Sequence, residues 1–172
     1  MYEESCFLCE QVSHKDVLAL ISWMNNKHVT GYLNEDENIV SELEYPLKHI
    51  HKAMVRYLFN RYGRFFFVRT EDNELTGFIK LKEKGKGHYK VVYVIGHEEL
   101  WGKVLGTEAL KQALYTAFLF NWAYSVNAMV HHENIRSLRT VNKCGFEIID
   151  ETGVYIKFRR TFEKYLKTLR NR

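Results

Sequence analysis

The segment Trp101-Gly102-Lys103-Val104-Leu105-Gly106-Thr107 carries residue types suited to holding an anion. It is a short glycine-bearing loop that runs into an apolar-striped helix. The first N–H groups of a helix lack intrahelical partners, and the helix dipole adds positive potential there. Glycine lets the backbone come close to a phosphate, and Lys103 adds a cation. The segment therefore reads as a pyrophosphate cradle, or as a plain turn with two glycines. It lacks the Gly-Lys-Ser/Thr of a Walker loop and the G-x-G-x-x-G of a dinucleotide fingerprint. A second group is His131-His132-Glu133-Asn134, followed by Ser137. Imidazole titrates near neutral pH, so His131 and His132 are candidate general bases; each is equally a solvated loop residue. His97 and Glu98 are further candidates on the same terms.

The elements around these residues follow in close succession, with no repeat and no low-complexity linker. Cys6–Val12 reads as a strand. Ser13 with Asp16 resembles a capping box, and Val17, Leu18, Leu20, Ile21 and Met24 form one face of the helix behind it. A polar loop is expected from Asn25 to Glu44. Pro46 opens a second helix with the stripe Leu47, Ile50, Met54, Tyr57 and Leu58. Arg64–Thr70 and Leu75–Lys82 form a hairpin around residues 71–74, and Gly85 and Gly87 mark another turn. Val91–Ile95 is nearly all apolar, as a central strand buried on both faces would be. Leu105, Ala109, Leu110, Ala113, Leu114 and Ala117 line one side of the next helix. Val126–Val130 is a short strand, and Asn134 caps a helix from Ile135 to Cys144 that Gly145 stops. Phe146–Ile149 and Val154–Phe158 are two more strands, and Thr161–Leu169 is a short amphipathic helix. Such an order implies a mixed α/β sheet.

The chain has 172 residues, 46% apolar and 27% charged, with one proline. That composition excludes a disordered or collagen-like chain. One domain is expected, spanning residues 1–160, followed by a basic tail over 161–172. Residues Lys157–Arg172 hold seven basic residues against Glu163, a net of +6, which leaves −2 for the rest of a +4 chain. This distribution argues against nucleic acid as the main partner. No signal peptide is visible, and three cysteines make no disulfide scaffold, so a cytoplasmic location is expected. The uncharged stretch Gln112–Val130 is interrupted by polar residues and reads as a helix end, a turn and a buried strand, with no membrane span.

Taken together, these elements resemble the GNAT acetyltransferases, the Gcn5-related superfamily that uses acetyl-CoA. The family's pyrophosphate loop reads Gln/Arg-x-x-Gly-x-Gly/Ala. The six positions here are Trp101, Gly102, Lys103, Val104, Leu105 and Gly106; the last glycine matches, while the first position is Trp and the fourth is Val. Tyr93 to Lys103 is similar to the family's strand and loop, and Gly106-Thr107-Glu108-Ala109-Leu110 to its helix start. Asn134-Ile135-Arg136-Ser137 and Lys143-Cys144-Gly145-Phe146 resemble the Asn-x-x-Ala/Ser…Lys-x-Gly-Phe signature. Ser22–Asn26 through Val29–Leu33 resembles the branch of ribosomal-protein N-terminal and small-amine or aminoglycoside acetyltransferases. The likeness covers about residues 5 to 160.

The resemblance implies a single-domain, mostly antiparallel sheet of six to seven strands flanked by about four helices, with a splayed central strand pair. It implies acetyl-CoA as co-substrate, no metal, and direct attack by a primary amine in a ternary complex. Amides near Val94 and Ile95 would bond the pantetheine arm and polarise the thioester carbonyl. Those from Trp101 to Thr107, through Gly102, Lys103, Val104, Leu105 and Gly106, would hold the pyrophosphate. Asn134 would contact the pantetheine, and Lys143 belongs to the same signature. Many members carry a proton-donating tyrosine seven residues after the asparagine; here that position is Val141. Ser137 is the substitute the branch points to, or a small residue required for helix packing.

Acceptor features stay open between two readings each. Glu35, Asp36, Glu37, Glu42 and Glu44 would suit a cationic acceptor or form a solvated loop. Trp23 and Tyr32 would wall the acceptor or pack in the core. Cys6-x-x-Cys9 has no second pair and reads as two opposed strand side chains. The acceptor is a small amine or a protein N-terminus, and the aromatic content leaves room for a homodimer face. Competing readings are a catalytically weak acyl-CoA-binding regulatory module and a ribosome- or nucleic-acid-docking protein acting through the tail.

Overall fold

The computed structural model of the chain describes residues 5–33 and 52–170. Strand β1 (Cys6–Cys9) is shorter than its apolar run predicts and leads into α1 (His14–Asn25). The capping box forms: the Asp16 amide donates to Ser13 Oγ at 3.2 Å, and the Ser13 amide donates to the Asp16 carboxylate at 2.8 Å. The expected loop after Asn25 instead opens with the one-turn helix α2 (Lys27–Thr30), because Asn26 Oδ1 accepts the His28 amide at 2.9 Å and caps it. Pro46, Leu47, Ile50 and the acidic run 35–44 lie outside the described residues, and the second long helix is described as α3 (Lys52–Phe59).

Strands β2 (Gly63–Thr70), β3 (Leu75–Gly85) and β4 (His88–Ile95) form a meander. A single 3₁₀ turn (Glu98–Leu100) then leads to α4 (Leu105–Tyr115), which a π-helical turn extends over Thr116–Phe120. The chain continues through β5 (Ser125–His131), α5 (Ile135–Lys143), β6 (Glu147–Thr152), β7 (Tyr155–Thr161) and α6 (Phe162–Arg170). The sheet order is β1-β2-β3-β4-β5-β7-β6. Neighbours are antiparallel except β4 and β5, whose helical crossover through α4 makes them parallel.

Strand alternation divides the core in two. In Phe65-Phe66-Phe67-Val68, Phe66 and Val68 join Ile79, Leu81 and Val91 under α4 and α5. Phe65 and Phe67 join Phe78, Val94 and the α1 residues Val17, Leu20 and Trp23 on the other face. A side chain as fully buried as Phe67 contributes on the order of 1.5–3 kcal/mol. Val141, on α5, is wholly buried in the first of these layers.

The tail is part of the packed structure. Phe162 and Tyr165 of α6 lay their rings against Phe118, with centroids 5.9 and 4.8 Å apart. Arg160 of β7 ties it down: Nη1 donates to the Gly145 carbonyl at 2.7 Å and Nη2 to the Lys164 carbonyl at 3.1 Å. Among the described residues, no helix is long and apolar enough to cross a membrane. The stretch Gln112–Val130 resolves into a helix end, a turn and a strand, as its polar interruptions predict.

Candidate active site

The parallel pairing of β4 with β5 stops after three residue pairs, His88↔Ser125, Tyr89↔Val126 and Lys90↔Asn127. Beyond Lys90 the strands diverge while β4 stays paired to β3 as far as Ile95. The Gly96 amide donates to the Thr76 carbonyl at 2.8 Å. An antiparallel ladder uses both backbone groups of every second residue, so Val92 and Val94 face β3. Val91, Tyr93 and Ile95 therefore present their amides to the open side. Of the two amides the sequence places here, Ile95 faces the cleft and Val94 faces the neighbouring strand; Tyr93 was missed.

The resulting cavity, of about 250 Å³, runs between β4, β5, the loop at 101–107 and α5. Ile95, Trp101, Gly102, Lys103, Gly106, Thr107, Asn134, Ser137, Lys143 and Tyr32 all line it, together with the Val94 segment. The local geometry at the loop suits an anion. Gly102 takes φ +78°, a left-handed conformation with open space where a Cβ would stand. Val104 heads α4 without a side-chain cap, and the Thr107 and Glu108 amides both turn onto its carbonyl at 2.9 and 3.0 Å. This leaves the amides of Leu105 and Gly106 without intrahelical partners at the head of the helix. The Leu105 side chain is buried in the core, so only its backbone faces the loop.

Trp101 has a structural role that its position in the loop did not reveal. Its indole N–H donates to the Ile95 carbonyl at 2.7 Å, pinning the loop to the end of β4. The Arg136 guanidinium stacks on the same ring, 3.9 Å from its centroid, and so is held at the rim. Lys90, Lys103, Arg136, Arg139 and Lys143 line the cavity, and among the described residues no Asp or Glu does. A cavity with this charge balance and an uncapped helix end fits a polyphosphate ligand. The pattern reading missed Arg139 and Thr140, which α5 supplies by projecting one face at positions 136, 137, 139, 140 and 143.

Asn134 caps α5, its Oδ1 accepting the Ser137 amide at 3.1 Å. Tyr93 crosses the cleft from β4, its hydroxyl donating to the Ser137 carbonyl at 3.4 Å. Burial pushes its phenol up to about 12, against hydroxyl interactions with Ser137 and Thr140 that pull it down.

The two histidines stand at the end of β5, stacked on each other with ring centroids 4.8 Å apart. His131 also touches Tyr32 and Tyr155, at 5.1 and 5.4 Å. Its Nδ1 accepts the Glu133 amide at 3.2 Å, so the neutral ring carries its proton on Nε2. His132 is the opposite tautomer: its Nδ1 donates to the Val154 carbonyl at 3.0 Å, leaving a lone pair on Nε2. Trp23 packs in the second core layer, edge-on to His97 at 5.6 Å, and does not line the cavity. Gly96 has to be glycine, since a Cβ there would lie 2.1 Å from the Trp23 indole. Glu35 lies outside the described residues. Among those residues, no group of three His, Cys, Asp or Glu side chains converges as a metal site.

Similarity to known proteins points the same way. No curated protein sequence matches the chain. Among solved structures, the spermidine N-acetyltransferase from Vibrio cholerae, in complex with CoA and spermine, is similar with a TM-score of 0.74 at 20% identity. That match covers 96% of this chain and 99% of the other. An acetyltransferase (GNAT family) from Bacillus anthracis has a TM-score of 0.70 at 18% identity, over 95% of this chain and 98% of its own. An aminoglycoside acetyltransferase in complex with coenzyme A has a TM-score of 0.70 at 15% identity, over 96% and 99%. At these identities the likeness establishes the fold. The acetyltransferase (GNAT) domain family matches residues 8–147. With most of its length matched and the splayed β4–β5 pair in place, the chain belongs to the GNAT acetyltransferase family.

Proposed function

We propose that the protein transfers an acetyl group from acetyl-CoA to a primary amine, by direct attack within a ternary complex in the cytoplasm. The observation that carries this reading is the end of β4–β5 pairing at Lys90↔Asn127, which opens a cleft beside an uncapped helix N-terminus and, among the described residues, a lining without acids. The Leu105 and Gly106 amides, Lys103 and Lys143 would hold the diphosphate. The Ile95 and Tyr93 amides would bond the pantetheine arm and polarise the thioester carbonyl. Asn134 would offer its side-chain N–H groups to the pantetheine, and Ser137 would lie near the sulfur. The chain's contribution is then positioning and carbonyl polarisation, with a proton removed from the amine. Neither histidine lines the cavity, so that proton would leave through water; of the two, His132 is the proposed base, since its neutral ring would keep a lone pair on Nε2.

The acceptor is proposed to be a small cationic amine. Tyr32 lines the cavity immediately before the acidic run 35–44, and a structural neighbour acts on spermidine. A protein N-terminus is the alternative acceptor, and amine and peptide panels run side by side distinguish them. Free cysteines at 6, 9 and 144 accord with a reducing compartment.

The test is calorimetric titration with acetyl-CoA, with CoA and adenosine diphosphate as controls, followed by thiol-release assays over an amine panel. Micromolar binding with turnover on a polyamine or aminoglycoside supports the proposal; a folded protein that binds neither thioester nor CoA refutes it. One observation favours a second reading, a weakly catalytic acyl-CoA-binding module: position 141 carries a core valine in place of a proton donor. Tight binding without turnover on any amine would select it. Docking through the tail loses support, because α6 spends its aromatic residues on Phe118.

A further inference from the structure

Resting on the acetyl-transfer reading above, we propose that Tyr93 is the proton donor to the departing thiolate, held in place by the Ser137 backbone and the hydroxyls of Ser137 and Thr140. Loss of CoA as a thiolate needs a proton source close to thiol acidity. The Tyr93 phenol, raised by burial to about 12, is still a far stronger acid than an aliphatic hydroxyl such as that of Ser137. Among the described residues, two tyrosines line the cavity, Tyr32 and Tyr93. Tyr32 stands at the rim against His131, and more than a third of its surface is exposed. Tyr93 lies inside, its side chain spanning from β4 to α5 and its hydroxyl 3.4 Å from the Ser137 carbonyl.

The same residue offers its amide to the open side of β4, where the thioester carbonyl would be polarised. Amide and phenol of one residue thus meet the two ends of the bond that breaks. The lysines of the lining are placed otherwise: Lys103 and Lys143 stand at the loop and at the end of α5, and Lys90 lies on the opposite face of β4 by strand alternation. Burial keeps the phenol protonated across the neutral range, so the donor is loaded before each turnover.

The step balances as follows. The amine nitrogen forms the new bond to the acyl carbon and loses a proton to the base or to water. The carbon–sulfur bond breaks with its electron pair on sulfur. Sulfur takes the phenolic proton of Tyr93, and the phenolate recovers one from the proton released by the amine. The products are the amide and the free thiol.

The test uses the full chain with Tyr93→Phe and with fluorotyrosines placed at position 93. Fluorine leaves the ring nearly unchanged in shape while altering phenol acidity. Three quantities are read: CoA affinity by calorimetry, kcat by thiol release, and thermal unfolding. The proposal expects Tyr93→Phe to lose on the order of 10²-fold in kcat while CoA affinity stays within about threefold. It also expects kcat to track phenol acidity across the fluorotyrosine series, which a packing role would not produce. Retention of kcat by Tyr93→Phe, or indifference of the rate to phenol acidity, overturns the proposal. If Tyr93→Phe does not fold, the fluorotyrosine series decides alone. A wild-type chain that neither binds CoA nor releases thiol overturns the acetyl-transfer reading itself, an outcome distinct from a wild type that turns over and a variant that matches it.

Discussion

Gly106 offers a way to separate binding at the loop from stability of the fold. It is the second residue of α4, and a Cβ built there meets only the Ile95 side chain, at 3.8 Å, an ordinary contact. Gly106→Ala should therefore fold and gain stability, by roughly 0.5–1 kcal/mol through the lower entropy of the unfolded chain. In a domain of this size that is a rise in Tm of about 1–4 °C. Gly106→Asp should also fold, because a carboxylate in the first turn of a helix is favourable by about 0.3–1 kcal/mol. Its effect on a diphosphate is the reverse. Two unit charges roughly 5 Å apart at an effective dielectric constant of about 20 repel by about 3 kcal/mol, which is about a hundredfold in affinity. Calorimetry with CoA and differential scanning calorimetry on the three proteins measure both quantities. An aspartate variant that is stable but binds CoA within threefold of wild type refutes the phosphate cradle. An alanine variant with a lowered Tm refutes the packing argument.

Other expectations follow from the same structure. Asp16 is buried, pairs with the half-buried Arg69 at 2.6 Å and also closes the capping box, so Asp16→Ala should cost about 1–3 kcal/mol in denaturant unfolding, with the guanidinium keeping only its bond to the Asn73 carbonyl. Gly96→Ala drives a methyl into the Trp23 indole and should lower stability by about 1–3 kcal/mol, seen as a reduced urea midpoint. Burial pushes the Cys6 and Cys144 thiols up to about 11 and about 12, so both should resist alkylation at pH 8 in the folded protein and react after unfolding, as counted by mass spectrometry. Because those folded values exceed the ordinary thiol value, the stability they contribute is complete below about pH 9 and is lost as pH rises toward 12. His132→Ala should reduce turnover near neutral pH more than His131→Ala, measured on the same amine, and equal losses would refute the tautomer argument.

Much of the fold was legible because its signals are local. Ser13 and Asp16 specify a helix start, Asn134 another, and glycines at 85, 87 and 145 mark stops and turns within a few residues of where the chain bends. The triple phenylalanine of β2 and the all-apolar run of β4 announce strands buried on both faces. The order of the elements, with one glycine loop before α4 and one asparagine before α5, sufficed for the family and for a loop that lines the cleft.

Other features depended on pairs of residues distant in the chain. Which amides of β4 face the cleft follows from its register with β3, and a one-residue shift exchanges Val94 for Tyr93 and Ile95. Trp101 looked like a departure from the loop pattern; only the fold brings its indole to the Ile95 carbonyl and under Arg136. Trp23 is part of the core because Gly96, 73 positions later, leaves room for it. Tyr93 meets Ser137, 44 positions later, only because the fold brings α5 across the cleft from β4. The sequence determined which segments become helices, strands and the glycine-bearing turn before α4, since capping, periodicity and glycine conformation act over a few residues. The tertiary structure decided which backbone edge stays unpaired and which phenol enters the cleft, since both depend on packing between elements that no local pattern encodes.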